Sequence, residues 1–139
     1  MDGVILTTLK HIVLEKGDVL HALKATDDTY SGFGEAYFTQ IRYGFIKGWK
    51  RHNKMTLNLV VIHGKVKFIV YDQVNNLFEE IVLSPEDNYQ RLTLAPGLWM
   101  AFQGLSDGIS TILDIIPNPH DPEEADNMDL SEIDYDFSV

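Results

Sequence analysis

The chain has 139 residues, no cysteine and a formal net charge of −10 at pH 7. This length suits one domain with its own core, and the lack of cysteine excludes disulfides and thiolate metal sites. No apolar run approaches the ~20 residues of a membrane-spanning helix, so we expect no membrane partner. The first four residues lack the basic and apolar segments of a signal peptide, and we expect a cytoplasmic protein.

The negative charge is concentrated at the C-terminal end. Residues 117–139 hold eight of the 21 acidic residues and no Lys or Arg, which leaves 13 acidic against 11 basic residues in 1–116. We therefore divide the chain into a domain at 1–116 and an acidic C-terminal tail at 117–139. A nearly neutral body argues against a nucleic acid partner, because binding to the phosphate backbone needs a basic surface.

The body is predicted to consist of short strands separated by turns rich in Gly, Pro, Asn and Asp. The clearest signal is a hairpin around His63-Gly64-Lys65, whose second strand alternates in the manner of a half-buried strand. The spacing of the strands, with no amphipathic helix between them, indicates an all-β sandwich or jelly roll. In chain order the predicted strands are 4–14, 19–25, 35–42, 44–49, 57–62, 66–71, 78–83, 91–94, 98–103 and 109–115.

The tail alternates acidic residues with four large apolar ones, Leu130, Ile133, Tyr135 and Phe137. Four such residues are unusual in a purely disordered segment. We therefore expect the tail to dock on the body, as a short helix, through these side chains. The alternative is a frayed end.

Three segments carry a resemblance to known proteins. Residues 44–52 read Gly-Phe-Ile-Lys-Gly-Trp-Lys-Arg-His, residues 96–102 read Pro-Gly-Leu-Trp-Met-Ala-Phe, and residues 32–40 read Gly-Phe-Gly-Glu-Ala-Tyr-Phe-Thr-Gln. In order and spacing they resemble the cupins that act on dTDP-4-keto-6-deoxy sugars, the dTDP-4-dehydrorhamnose 3,5-epimerases and the related 3,4-ketoisomerases. The similarity covers roughly residues 28–116. It implies a cupin jelly-roll barrel of two antiparallel sheets and an isomerase that acts on a dTDP-sugar in polysaccharide biosynthesis, without a cofactor.

The chain departs from both enzyme patterns at the histidines. In the Arg-Gly-x-His-x-Gln frame of the epimerases, Lys50 replaces the base histidine and His52 replaces the glutamine. Met100 stands where the epimerases have a second histidine. In the His-x-His frame of the ketoisomerases, His52 matches the second histidine and Lys50 replaces the first.

Both reactions begin with removal of a proton from the carbon beside a ketone, which needs a base and a cation or donor near the enolate oxygen. His52 is the candidate base, since imidazole titrates near neutrality. Lys50 projects from the same face of an extended segment and either stabilises the enolate, acts as a base itself, or binds phosphate at the rim. Tyr43 and Tyr71 are candidate acids that return a proton on the other face of the sugar, although tyrosines on strands more often serve packing.

Binding residues are inferred from the basic cluster and from the resemblance. Lys47 matches the arginine of the epimerase motif and is expected to pair with the diphosphate, helped by Arg51 or Lys54. The resemblance implies that Glu35 and Gln40 hydrogen-bond the thymine base while Phe38 supplies an apolar wall. The alternative places Phe38 in the core and Glu35 on the surface.

No metal is expected, because one histidine beside three cations is a poor site for a divalent ion. Two functions from different classes remain. The first is a dTDP-4-keto-6-deoxy sugar epimerase or isomerase, and the second is a non-catalytic cupin that binds a nucleotide sugar and has lost the epimerase base. The relatives usually pair through their sheets, so we also expect a homodimer.

Overall fold

The computed structural model describes residues 1–138 and confirms the all-β class. This part of the chain contains no α-helix, only single 3-10 turns at Pro122–Glu124 and Leu130–Glu132, and no helix in it is long and apolar enough to cross a membrane. The strands are β1 (Val4–Thr8), β2 (His11–Ile12), β3 (Val19–Leu20), β4 (Glu35–Arg42), β5 (Ile46–His52), β6 (Leu57–His63), β7 (Val66–Asp72), β8 (Leu77–Leu83), β9 (Gln90–Leu94), β10 (Trp99–Gly104), β11 (Ile109–Ile116) and β12 (Ala125–Asn127).

Two antiparallel five-stranded sheets form the two layers expected of a cupin jelly roll. The first sheet has the order β1-β9-β6-β11-β4, and the second has the order β12-β5-β10-β7-β8. The core between them is built from inward side chains of both sheets, such as Ile41, Leu59 and Ile112 from the first and Phe68 and Val70 from the second. Alternation along the strands therefore decides which residues reach the interior.

The two strands predicted at 4–14 and 19–25 are much shorter in the structure. Asp18 accepts a hydrogen bond from the backbone N–H of Leu14 at 3.0 Å and contacts the His11 ring at 2.7 Å. This local bonding folds the segment into the small hairpin of β2 and β3 rather than a long ladder. By contrast, β4 has the predicted bounds, and the hairpin of β6 and β7 forms around Gly64.

The prediction of a half-buried β7 is wrong, because both faces of this strand are covered. Lys67 is only 4% exposed and Ile69 is fully buried. The tail packs over the outer face of the second sheet, where Ile133 joins a second apolar cluster with Trp49 and Ile69. In the sequence, the polar Lys67 marked the outward face of β7 as exposed. In the structure the tail packs over that face.

The tail docks as expected, but its conformation differs from the expected helix. β12 pairs antiparallel with β5, so the edge of the second sheet gains backbone hydrogen-bond partners. Pro122 begins a 3-10 turn, and the Asp121 carboxylate accepts from the Glu123 N–H at its start. Leu130, Tyr135 and Phe137 then pack against the second cluster.

Candidate active site

A cavity of about 370 Å³ opens between the two sheets. Its size falls within the range of small-molecule sites in proteins. The second sheet contributes Lys50 and His52 from β5, and the first sheet contributes Tyr37 from β4 and Asp114 from β11. Apolar side chains cover much of the remaining wall: Met55, Leu57, Leu94, Leu98, Met100 and Phe102.

His52 is held by a glutamate from the tail. Its Nδ1 lies 2.6 Å from Oε1 of Glu124, and both side chains are buried. A carboxylate only accepts, so Nδ1 of the neutral ring carries the hydrogen and Nε2 keeps a free lone pair. The imidazole is thereby oriented as a base on the cavity wall.

The Glu124 carboxylate is itself anchored by the backbone. Its Oε2 accepts from the N–H groups of Lys54 at 2.9 Å and Met55 at 3.0 Å. Burial opposes ionisation of this carboxyl, but the hydrogen bonds from Lys54, His52 and Met55 outweigh burial and hold its pKa below the ordinary value. The group is therefore a fixed anion behind the imidazole.

Backbone pairing explains why Glu124 meets His52. Ala125, the first residue of β12, lies opposite His52 in the register with β5. On the other side, the Asn53 N–H donates to the Glu124 carbonyl at 3.0 Å. The preceding turn, with Asp121 as its cap, then directs the Glu124 side chain inward toward β5.

Gly48 lets β5 lie close against β10. The residue has φ +152°, and a Cβ there would lie 2.5 Å from the Ala101 Cβ. The pairing of β5 with β10 shifts register at the same place, so that Lys47 and Lys50, on either side of the glycine, both line the cavity. Met100 is opposite Lys50 in the register.

Asp114 and Tyr37 form a pair on the first sheet. They are direct neighbours in the antiparallel register of β11 and β4. Burial raises the pKa of the Asp114 carboxyl to about 6, and Tyr37, His52 and Lys50 oppose that rise. Burial also raises the pKa of the Tyr37 hydroxyl well above its ordinary value, and the neighbouring Asp114 raises it further. The hydroxyl therefore stays protonated beside a carboxyl that titrates near neutrality.

The structure brings three of the predicted residues to the cavity: Lys47, Lys50 and His52. Lys47 is exposed, and its Nζ donates to the backbone carbonyl of Gln40 at 2.6 Å. Lys50 makes no ion pair within residues 1–138. The two lysines thus present positive charge to the same space as the imidazole.

The predicted acids and two of the predicted cations lie elsewhere. Tyr71 stacks on Phe78 with ring centroids 4.4 Å apart, on the outer side of the second sheet, and Tyr43 is 59% exposed after β4. Arg51 points away from the cavity, bonds Asp126 at 2.7 Å and lies 4.7 Å over the Trp99 ring. Lys54 is an exposed residue after β5 whose backbone serves Glu124.

The predicted base-binding residues lie on or near the outside of β4. Phe38 is 63% exposed, so the alternative that placed it in the core is wrong, and Gln40 is exposed on the same face. Glu35 accepts a hydrogen bond from the His120 N–H at 2.9 Å. None of these three side chains lines the cavity that holds His52.

Sequence reasoning missed Tyr37, Asp114 and Glu124. Asp114 was detectable, because a single carboxylate stands within the otherwise apolar run of residues 112–116. Tyr37 shares its face of β4 with Ile41, which is buried. Glu124 carried no local signal, since it is one of eight acidic residues in a segment that reads as solvated.

The described residues contain no group of three or more His, Asp or Glu side chains placed to hold a metal ion. The basic groups around His52 and the cation-rich wall suit a negatively charged organic ligand better than a divalent ion. An imidazole and a carboxyl that line one cavity can remove and return protons on a bound anion.

No protein-family model and no curated protein matches the chain. Solved structures do. The dTDP sugar isomerase of Desulfovibrio desulfuricans G20 shares 29% identity and a TM-score of 0.88, over 92% of this chain and 85% of that one. The resemblance to dTDP-sugar epimerases and isomerases that was inferred from the sequence is confirmed.

Two further neighbours support the fold. The dTDP-4-dehydrorhamnose 3,5-epimerase of Sulfolobus tokodaii has a TM-score of 0.84 at 21% identity, over 99% of this chain and 84% of that one. QdtA, a sugar 3,4-ketoisomerase of Thermoanaerobacterium thermosaccharolyticum, has a TM-score of 0.77 at 18% identity, over 91% and 88%. The jelly roll is thus common to epimerases and ketoisomerases alike.

Glu124→Ala is expected to lower the free energy of unfolding by about 3 kcal/mol, because it leaves the buried N–H groups of His52 and Met55 and the partly buried N–H of Lys54 without their acceptor. Urea titration measures the change. Glu123→Ala removes the exposed neighbouring carboxylate and serves as the control, with a change within about 0.5 kcal/mol. Equal effects of the two variants would contradict the buried role of Glu124.

Asp114→Asn is expected to stabilise the protein at pH 8 and to change its stability little at pH 4. The carboxyl has a pKa of 3.8 in the unfolded chain and about 6 when buried, so the folded state loses stability as the pH rises through this window. Above pH 6 the full loss, at most about 3 kcal/mol, is present and the asparagine avoids it.

Urea titrations of the wild type and Asp114→Asn at pH 4 and pH 8 measure this difference. Asp87→Asn is the matched control, because the Asp87 carboxylate is exposed. Its ion pair with Lys65, 3.6 Å away, is exposed as well. It should change stability little at either pH. A gain from Asp114→Asn that is the same at both pH values would show that the carboxyl is not titrating in this window.

Proposed function

We propose that the protein is an epimerase or isomerase of a 4-keto-6-deoxy sugar attached to dTDP, acting by proton abstraction next to the keto group. The observation that carries this proposal is the buried His52–Glu124 pair, which presents an oriented imidazole to a cavity of substrate size. The 29% identity with a dTDP sugar isomerase over nearly the whole chain supports the same reaction class.

In the first step, Nε2 of His52 takes the proton from the carbon beside the ketone, and the electron pair of the broken C–H bond forms the enolate. The negative charge that develops on the oxygen is stabilised by the Lys50 ammonium, which lines the same wall. The fixed Glu124 carboxylate stabilises the imidazolium that results.

The diphosphate of the substrate is proposed to bind at Lys47. This lysine is exposed at the border of the cavity, and a charge-assisted hydrogen bond to phosphate contributes roughly 1.5–3 kcal/mol gross. Arg51 is engaged by Asp126, so it is less available for the same task. Neighbours such as QdtA are described in complex with TDP, which fits a diphosphate ligand.

We also propose a homodimer in the cytoplasm. β4 is an edge strand of the first sheet, and exposed aromatic residues stand on it and beside it: Phe33, Phe38, Tyr43 and Phe45. Exposed apolar groups of this extent are unusual on a monomer, and a second copy would cover them. The absence of cysteine suits a reducing compartment.

The activity is tested by proton NMR of dTDP-4-keto-6-deoxyglucose with the protein in deuterated water. We expect loss of the C3 proton signal, and His52→Gln should slow this exchange at least about 100-fold. His63→Gln is the control, because His63 is exposed at the end of β6, and the variant should exchange at the wild-type rate.

The positions that exchange also separate the alternatives. Exchange at both C3 and C5 identifies a 3,5-epimerase, and exchange at C3 alone identifies a 3,4-ketoisomerase or a 3-epimerase. Ligand line-broadening without exchange would replace the proposal by the non-catalytic nucleotide-sugar-binding cupin. Absence of both exchange and binding would reject the substrate class.

Phe38→Asp is expected to convert the protein from a dimer to a monomer, because it replaces an exposed aromatic ring on the edge strand β4 with a charge. Light scattering measures the mass. Val74→Asp serves as the control, since Val74 is 93% exposed in the turn between β7 and β8 and should leave the dimer intact. A wild-type protein with the mass of one chain would reject the homodimer.

A further inference from the structure

Asp114 is a buried carboxyl that the first half of the proposed reaction does not use. It is only 8% exposed, and its Oδ1 is buried without a hydrogen-bond partner within residues 1–138. A buried carboxyl oxygen without a partner is costly in a folded protein. Asp114 nevertheless lines the cavity, so a bound ligand is the natural partner for this oxygen.

The position of Asp114 complements that of His52. Asp114 belongs to β11 in the first sheet, whereas His52 and Lys50 belong to β5 in the second. Both walls line the same cavity, and His52 and Lys50 on β5 act to lower the pKa of Asp114. A flat enolate held between the sheets would face the imidazole on one side and the Asp114 carboxyl on the other.

We propose that Asp114 is the general acid of the second half of the reaction and returns a proton to the enolate from the wall opposite His52. This inference rests on the proposed function. The O–H bond of the carboxyl breaks, a new C–H bond forms with the electron pair of the enolate, and the carbonyl is restored. Asp114 is left as a carboxylate and His52 as an imidazolium, and exchange with water resets both.

The titration of Asp114 suits this task. Its pKa is raised by burial to about 6, so a useful fraction of the carboxyl carries a proton near neutral pH. An acid with a pKa close to the working pH transfers protons most effectively. Four titratable groups act on it: Tyr37, His52 and Lys50 favour the carboxylate, and Glu35 favours the protonated form.

Tyr37 is a positioning residue for this acid. It is opposite Asp114 in the register of β4 and β11, and its hydroxyl remains protonated, as its raised pKa requires. The tyrosine therefore holds the carboxyl at the cavity wall without competing for the proton that is transferred.

The test compares two readouts in deuterated water with dTDP-4-keto-6-deoxyglucose as the substrate. The first is incorporation of deuterium at C3 of the recovered substrate, which needs only the base, and the second is formation of product, which needs the acid as well. For Asp114→Asn we expect product formation to fall at least about 100-fold while deuterium incorporation persists. Tyr37→Phe should reduce product formation less and shift its pH profile, whereas Asp87→Asn should leave both readouts at the wild-type level.

Each outcome decides between defined alternatives. Equal loss of both readouts in Asp114→Asn, or no loss of product, would overturn the assignment of the acid while the wild-type exchange still supports the proposed function. A wild-type protein that neither exchanges nor converts the substrate would overturn the proposed function itself. Urea titration of Asp114→Asn separates chemistry from unfolding, because this variant is expected to be at least as stable as the wild type.

Discussion

The Glu124 carboxylate accepts three hydrogen bonds in a buried place, one from the His52 ring and two from the backbone after β5. A carboxylate removed from water loses several kcal/mol of solvation, and only hydrogen bonds of this kind offset the loss. Docking of the tail therefore favours one orientation of the imidazole, and the imidazole in that orientation favours the docked tail. The orientation of the candidate base is thus coupled to the docked position of the tail.

Apolar contacts supply the energy that brings this carboxylate into place. Ile133 packs on the outer side of the second sheet with Trp49, and the Phe137 ring lies 5.8 Å from the Trp49 ring. Burying side chains of this size contributes about 1.5–3 kcal/mol each. Each of these contacts is remote from the cavity, yet each favours the bound position of Glu124.

The basic segment of β5 is divided by the same arrangement. Alternation sends Lys50 and His52 to the cavity and sends Arg51 to the outside, where it stacks on Trp99 and bonds Asp126 of the tail. The acidic tail thus neutralises the outward cation and leaves the inward lysine to the cavity. A net charge of −10 therefore coexists with a site suited to an anionic ligand.

Much of the body could be predicted from the sequence, because strand alternation and turn residues are local signals. The bounds of β4 and the placement of Lys50 beside His52 follow from such signals. The same alternation assigns Tyr71 to the face opposite Phe68 and Val70, so its distance from the cavity was readable as well. The position of Glu124 was not readable, because it depends on the pairing of β12 with β5, across about 70 residues of chain.

Lys50 on β5 and Asp114 on β11 line the same cavity from different sheets. A lysine beside a largely apolar cavity is stabilised by a carboxyl nearby. Asp114 meets this need in part, since Lys50 and His52 both stabilise its ionised form, yet burial still holds its pKa near 6. Both the protonated and the ionised form of the carboxyl are consequently populated near neutral pH. Burial of the ionised form lowers the stability of the fold, and an asparagine would avoid that cost. Folding alone does not explain a carboxyl kept under that penalty in an apolar strand, whereas proton transfer to a ligand in the cavity does.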